Sequence, residues 1–289
     1  MILASLEQSL LLYPLVLGIY VSYQILKTTD LTAEGSFVLG AAIYARLLIL
    51  CDNHVLALLL AIMGGALCGL SVALMQRKGR MNALVSSIIM LFMLYSVNLQ
   101  IMGRPNINLL GYDLLSAVES SLGSYAKLLI LGILGIFLTV TLGLLLKTRL
   151  GLTLRAFGYQ PLLLKKYDKN PETYRLIGLM LSNSLASFCG VLTAQFSGYA
   201  DIHMGFGMAL VGIGAVVIGH HLLLHVRQSK EFNPFLEIMA CFAGIYLYFL
   251  ISHLLLSFNI DPVNLRLCLG IILIICLRSP HLLKGARHA

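Results

Sequence analysis

The residues able to do chemistry collect at two interruptions in otherwise apolar sequence. The first reads Thr28-Thr29-Asp30-Leu31-Thr32-Ala33-Glu34-Gly35-Ser36-Phe37. Asp30 suits the cap of a following helix, and Glu34 falls in that helix's first turn, where the positive dipole end favours a carboxylate. Two readings stand for this stretch. One is an ordinary polar loop. The other is a helix break at membrane depth, where acidic groups are costly and face a cavity and a helix N-terminus can receive an anion. The second interruption, Gly198-Tyr199-Ala200-Asp201-Ile202-His203-Met204-Gly205-Phe206-Gly207-Met208, again puts an Asp ahead of a glycine-containing helix start. The residues that follow match loosely, Gly35-Ser36-Phe37-Val38-Leu39-Gly40 against Gly207-Met208-Ala209-Leu210-Val211-Gly212. That match predicts an inverted-topology repeat whose two breaks both dip toward the midplane.

Other reactive groups point away from covalent chemistry. His220, His221 and His225 end one apolar run, and His221 and His225 share a helix face at metal-ligand spacing. No HExxH motif and no carboxylate stands beside them, and a helix C-terminus favours histidines anyway, so no metal is expected. The six cysteines form no CxxC pair and read as small buried hydrophobes, with Cys51 at the end of a run. No GxSxG, SxxK or GxxxxGK[ST] motif is present, so neither a membrane hydrolase nor a phosphate-cradling loop is indicated. Within the runs, Asn98, Gln100, Ser182, Asn183, Ser184, Ser187 and Gln195 could line a pathway or simply hydrogen-bond between helices. Gly65-xxx-Gly69 allows close helix contact.

The elements that must position these groups follow from composition. Of 289 residues, 59% are hydrophobic and 11% charged. Mean hydropathy is +0.91. A soluble domain carries about 25% charged residues, so soluble enzymes, disordered chains and nucleic-acid-binding domains are excluded. Apolar stretches run over 4–26, 35–51, 54–76, 82–102, 122–146, 173–197, 204–226, 233–257 and 263–278. Each is near the roughly 20 residues that cross a hydrocarbon core. The expectation is an all-α, polytopic transmembrane helical bundle of about nine spans, some broken or re-entrant, forming a single domain over 1–289.

The 20 Lys and Arg residues against 12 Asp and Glu give +8. With alternating spans the positives fall on one side: Lys27, Arg77, Lys78, Arg80, the 147–175 segment, Arg227, Lys230, Arg278, Lys284 and Arg287. The other side carries Asp52, Asp113, Glu119, Asp201 and Asp261, with Arg104. Positive loops stay cytoplasmic, so the N-terminus is expected outside and the C-terminus inside. No cleavable signal peptide is expected. The segment 147–175 is too short for a core of its own. Within it Pro161 can open a short helix over Leu162-Leu163-Leu164-Lys165-Lys166-Tyr167, and Pro171 the next. A short helix both basic and apolar can lie on the membrane surface or dock a partner.

Three ordered stretches carry a family resemblance. Tyr20 to Ala41 resembles the first signature of bacterial ABC-importer permeases of the branched-chain amino acid/ribose type. Thr148 to Pro161 resembles their cytoplasmic coupling segment, and Gly178 to Gly207 the following span and second break. The pattern sits nearest the tryptophan/tyrosine (amino-acid) permease branch. The resemblance implies a type II-like permease fold, a permease homodimer in the bacterial inner membrane, a cytoplasmic ABC ATPase subunit and an extracytoplasmic substrate-binding protein. No cofactor would be bound by this chain, ATP being used by the partner subunit, and membrane lipid rather than nucleic acid would surround it. It also turns the short basic helix into a docking knob. Here 162–170 is greasier and more basic than the family's usual helix, which implies a co-adapted partner, and His220-His221 stands where a Gly-Glu or similar is expected.

The expectation is therefore a transport subunit, not an enzyme, that moves a small solute, an amino acid, between two permease copies. Asp30, Thr32, Glu34, Ser36, Asn183, Gln195, Asp201 and His203 are expected at the pathway or its gates. Gln160, Pro161, Leu162, Leu163, Leu164, Lys165 and Lys166 are expected to dock the ATPase. The alternative is an ion-coupled secondary transporter using the same breaks, with Asp30 or Glu34 carrying the proton or ion.

Overall fold

The computed structural model describes residues 2–112, 126–226 and 233–258, with isolated positions 267, 270 and 271. Apart from those three positions, the stretch 263–278 lies outside the described residues, as do the acidic residues Asp113, Glu119 and Asp261, the basic residues Arg227, Lys230, Arg278, Lys284 and Arg287, and Cys268 and Cys276.

The chain folds as helices α1 (Ile2–Ile19), α2 (Thr32–Cys51), α3 (His54–Met75), α4 (Ala83–Met102), α5 (Ala126–Lys147), α6 (Arg149–Tyr159), α7 (Pro161–Lys166), α8 (Pro171–Ser197), α9 (Met208–Val226) and α10 (Pro234–Ser257). Seven of the described helices are long and apolar enough to cross a membrane, and Met208–Leu224 is a shorter apolar helix. This is a polytopic helical bundle. Its surface is covered with large apolar side chains such as Phe92, Ile133, Ile136 and Phe137, as a bundle bathed in lipid requires.

Local chemistry sets the helix ends. Asn53 caps α3 through Leu56 N–H, Asn170 caps α8 through Glu172 N–H, and Asn233 caps α10 through Phe235 N–H. Pro161, Pro171 and Pro234 open α7, α8 and α10, where a missing N–H costs nothing. Beyond Ile19, α1 continues as a π-helix over Tyr20–Ile25. It unwinds through Lys27 at φ 55°, a left-handed conformation in which a side chain is strained.

The expected stretch at 198–207 differs from a simple helix break. Tyr199–Asp201 forms a strand, β2, antiparallel to β1 (Asn106–Asn108), pairing Asn106 with Asp201 and Ile107 with Ala200. Ile107 and Ala200 are buried, so this ribbon closes one end of the bundle beside the Asp52-Asn53 turn. Asp201 therefore does not cap α9. It accepts from His203 N–H at 2.7 Å and from Asn106 Nδ2 at 3.1 Å. The opposite end carries Arg77, Lys78, Arg80, α6, α7 and the start of α8.

α8 is the axis of the bundle, packing against α1, α2 and α3. Small residues permit the approach. A Cβ on Gly65 would stand 2.5 Å from the Asn183 carbonyl oxygen and from Ser187 Cβ, and one on Gly69 would strike the Leu179 carbonyl. Gly219 and Gly244 bring α9 and α10 together in the same way. With no hydrophobic drive between helices inside lipid, this contact area supplies much of the association. Gly65→Val should lower stability by about 1–3 kcal/mol through overpacking, read as a lower unfolding midpoint of the detergent-solubilised protein. Gly132→Ala, where no atom lies within 4 Å of the new methyl, should leave that midpoint unchanged or raise it.

Candidate translocation site

α2 runs beside the second half of α8, so its first turn sits next to Asn183, midway along α8. There the carboxylate of Asp30 is fully enclosed. One oxygen accepts from Thr32 N–H at 3.0 Å and from the Thr32 hydroxyl, and the other accepts from Asn183 Nδ2 at 2.9 Å. Ser36 donates to Asn183 Oδ1 at 2.7 Å, and Thr32 lies 3.2 Å from the same oxygen. Asn183 Nδ2 also reaches the Leu179 carbonyl. From α4, Asn98 Nδ2 donates to the Gly35 carbonyl at 3.2 Å. Asp30, Thr32, Ser36, Asn98 and Asn183 are all buried. Among the described residues no Lys, Arg or His pairs with Asp30. Its charge rests on hydrogen bonds and the N-terminus of α2.

Glu34 turns the other way. Its Oε1 accepts from Ala209 N–H at 3.1 Å, at the first turn of α9. Gly205 packs against the Glu34 carbonyl and the Val38 side chain, with no room for a Cβ. The two interruptions thus meet inside the bundle. One enters from the basic end and the other from the ribbon end, and α2 and α9 point their N-termini at the same place. Asp30 serves its own helix, while Glu34 serves the opposing one.

The remaining residues expected at the pathway lie elsewhere. Gln195 sits near the ribbon end, where its Oε1 accepts from Tyr44 Oη at 2.7 Å, and Tyr44 Oη is 3.0 Å from His54 Nδ1. Asp201 and the exposed His203 belong to the ribbon, His203 lying beside the Tyr95 ring at 6.2 Å. So Asp30, Thr32, Ser36 and Asn183 form one cluster, Glu34 adjoins it across the helix junction, and Gln195, Asp201 and His203 are apart from it. Tyr44 and His54 escaped sequence reasoning. The signal for Tyr44 was a hydroxyl in a stretch otherwise apolar, which must find a partner when buried.

Two further expectations change. His220 does have a carboxylate beside it: folding brings Glu237 of α10 to 3.5 Å from Nδ1, with Gln24 Nε2 at 3.4 Å. Glu237 lies 17 residues along the chain from His220, so local sequence shows no pairing. The side chain of His225 is outside the described residues, and the described residues hold no group of three metal-ligating side chains. Cys68, Cys189 and Cys241 are buried and Cys51 is exposed.

At the basic end, α6 and α7 form an elbow with Gln160 extended between them. Leu164 is buried, but Leu162 is 64% exposed and Leu163 38%, flanked by Tyr159, Tyr167, Lys165 and Lys166. Leu162 and Leu163 thus form an exposed apolar step with a basic rim.

Residues 1–277 match the family described as "Branched-chain amino acid transport system / permease component". An uncharacterized protein of Rickettsia prowazekii (strain Madrid E) is 49% identical over 278 residues, 96% of this chain and 97% of its own. A protein of Clostridioides difficile (strain R20291) named "Tyrosine transport system permease protein" is 33% identical over 282 residues, 97% of this chain and 92% of its own. No solved structure matches. With its multi-pass bundle and a family match along nearly its whole length, this chain belongs to the branched-chain amino acid transport system permease family, as a membrane transport subunit and not an enzyme.

Proposed function

We propose that this chain is the permease subunit of an ATP-driven importer, working as a homodimer in the bacterial inner membrane and carrying an amino acid or similar small zwitterion. The observation that carries the reading is the meeting of two helix starts at the middle of the bundle. Such broken helices hold solute sites in transporters, because their exposed N–H groups and carbonyls are tolerated only where they line a cavity or pack within protein. A site built of carboxylates, hydroxyls and amides, with no fixed cation among the described residues, suits a solute bearing an ammonium group. The family description and the tyrosine permease relative point to amino acids.

ATP enters through a partner, since the chain has no phosphate-cradling loop. The α7 elbow is the place for a cytoplasmic ABC ATPase, with Leu162 and Leu163 as the apolar contact and Lys165 and Lys166 as its rim. An extracytoplasmic binding protein would deliver solute at the ribbon end. Lys27, Arg77, Lys78, Arg80, Lys147, Arg149, Lys165, Lys166 and Lys169 gather at the α7 end, which supports a cytoplasmic placement of that end by the positive-inside rule. The chain then begins outside.

The ATPase encoded alongside this chain should co-purify with it, and Leu163→Asp should reduce that recovery at least tenfold while the permease still folds. Uptake of solute by the purified chain alone in liposomes, driven by an ion gradient, would instead identify a secondary transporter with Asp30 or Glu34 as carrier. Asn183→Ala should abolish solute uptake, leaving ATPase recovery intact, because it strips the partner from Asp30 and leaves a buried carboxylate short of a donor. The cost of such an orphaned group is about 1–3 kcal/mol or more, so folding should be checked by the unfolding midpoint. Maleimide labelling of Asp52→Cys and Lys166→Cys, on a background lacking the exposed Cys51, should come from opposite faces of the membrane. Same-face labelling would refute the orientation.

A further inference from the structure

Two of the contacts that join the α6–α7 elbow to the bundle lie outside the docking surface. The first is a guanidinium. Arg175, in the second turn of α8, has Nη1 at 2.7 Å from the Gln76 carbonyl at the end of α3 and at 3.1 Å from Glu172 Oε2 on its own helix. Its Cζ lies 5.5 Å from the centre of the Phe157 ring on α6. Gln76 is buried and donates to Ser86 Oγ on α4 at 3.0 Å, and Glu172 accepts from Lys78 N–H at 3.4 Å. One side chain thus joins α3, the α3–α4 turn, α8 and α6. Arg suits this place because its planar fork holds two acceptors while its face stacks on an aromatic ring. A Lys at the same position could do one of these, not both.

The second contact is a glycine. A Cβ on Gly158, the residue after Phe157 near the end of α6, would fall on the Ile25 carbonyl oxygen, well inside van der Waals contact. Ile25 closes the π-helix at the end of α1. From there the chain runs only through Leu26, Lys27, Thr28 and Thr29 to Asp30. Gly178 on α8 leaves room for the Leu26 side chain in the same corner. The π-helix carries backbone bonds of unusual span, Thr28 N–H reaching Ser22 O at 3.0 Å. Such turns are uncommon and recur where helices are adjusted for function.

We propose that Arg175 and Gly158 are positioning residues of transport. Arg175 seats α6 on the α3–α4 hairpin through Phe157, and Gly158 lets α6 bear directly on the π-helical end of α1. Displacement of α7 by a bound ATPase then passes through α6 to Ile25 and into the short segment that ends at Asp30. The inference rests on the docking role of α7 given above.

Arg175→Lys, Arg175→Ala and Gly158→Ala complexes in liposomes, with the ATPase encoded alongside, distinguish the outcomes. The measured quantities are ATPase recovery, ATP hydrolysis rate and solute moved per ATP. Each variant should retain ATPase recovery and hydrolysis within about twofold of the parent, while solute moved per ATP falls at least tenfold. Phe157→Leu, which keeps the apolar contact and removes the ring, should lower the same ratio with the unfolding midpoint unchanged, and it carries the test if Arg175→Ala does not fold. An unchanged ratio in folded Arg175→Lys and Gly158→Ala complexes overturns the proposal. Loss of ATPase recovery in these variants also overturns it, because the residues would then serve docking itself. Failure of the parent chain to recover any ATPase would defeat the docking reading instead, a result separable from both.

Discussion

The structure turns on an electrostatic conflict inside the bundle. Two helices, α2 and α9, begin there and point their N-termini at one another. Each N-terminus carries about half a positive charge and several N–H groups with no partner of their own. In lipid such groups cannot turn to water. Asp30 and Glu34 resolve this between them. Asp30 takes the first N–H of α2 and Glu34 takes an N–H in the first turn of α9. Two buried or half-buried acids without a basic partner among the described residues would otherwise be costly. Here each supplies the acceptor that lets a helix start in the middle of the protein.

The surrounding packing follows from that arrangement. Asn183 must stand where it does because Asp30 has one oxygen left to satisfy. Its own carbonyl oxygen then needs a donor, which the Ser36 hydroxyl provides. The network is closed on itself, the condition under which a buried polar cluster specifies one packing instead of several. For α8 to bring Asn183 to that point, α3 must lie against it. Gly65 and Gly69 permit this, their missing side chains leaving space for the carbonyls and side chains of α8. Gly205 does the same for the second interruption against Glu34. Small residues and polar groups are thus two parts of one solution: the first let backbones approach, and the second hold them at that approach.

Much of this was legible from residue order. Asp30 and Glu34 were marked by charge in apolar surroundings, Pro161 and Pro171 by their fit to helix starts, and the glycine pair by its spacing. Each of those signals is local. What sequence could not show was non-local. Asp201 looks like Asp30 in sequence, yet it lies in a ribbon, because Ile107 and Ala200 make a better buried pair than a helix cap would. The partner of α9's N-terminus is Glu34, 175 residues away. His220 seemed to lack a carboxylate because Glu237 belongs to the next helix. Gln195 was visible as a polar residue in an apolar run, but its partner Tyr44 was not, because their contact depends on α2 lying alongside α8.

The same division separates what holds the protein from what would move in it. The Asp30–Asn183 cluster is closed and buried, whereas the link between the two helix starts runs through one half-buried side chain, Glu34, whose Oε1 accepts from Ala209 N–H, and through the close packing of Gly205 on the Glu34 carbonyl. Below it, α1 gives up regular α-helical geometry over Tyr20–Ile25 and passes through a strained Lys27 before reaching Asp30. The segment joined to the elbow is therefore the one whose backbone is least regular, and the segment it leads to is the most firmly satisfied. A displacement at the elbow meets least resistance in that irregular stretch and can be absorbed there without breaking the Asp30 network.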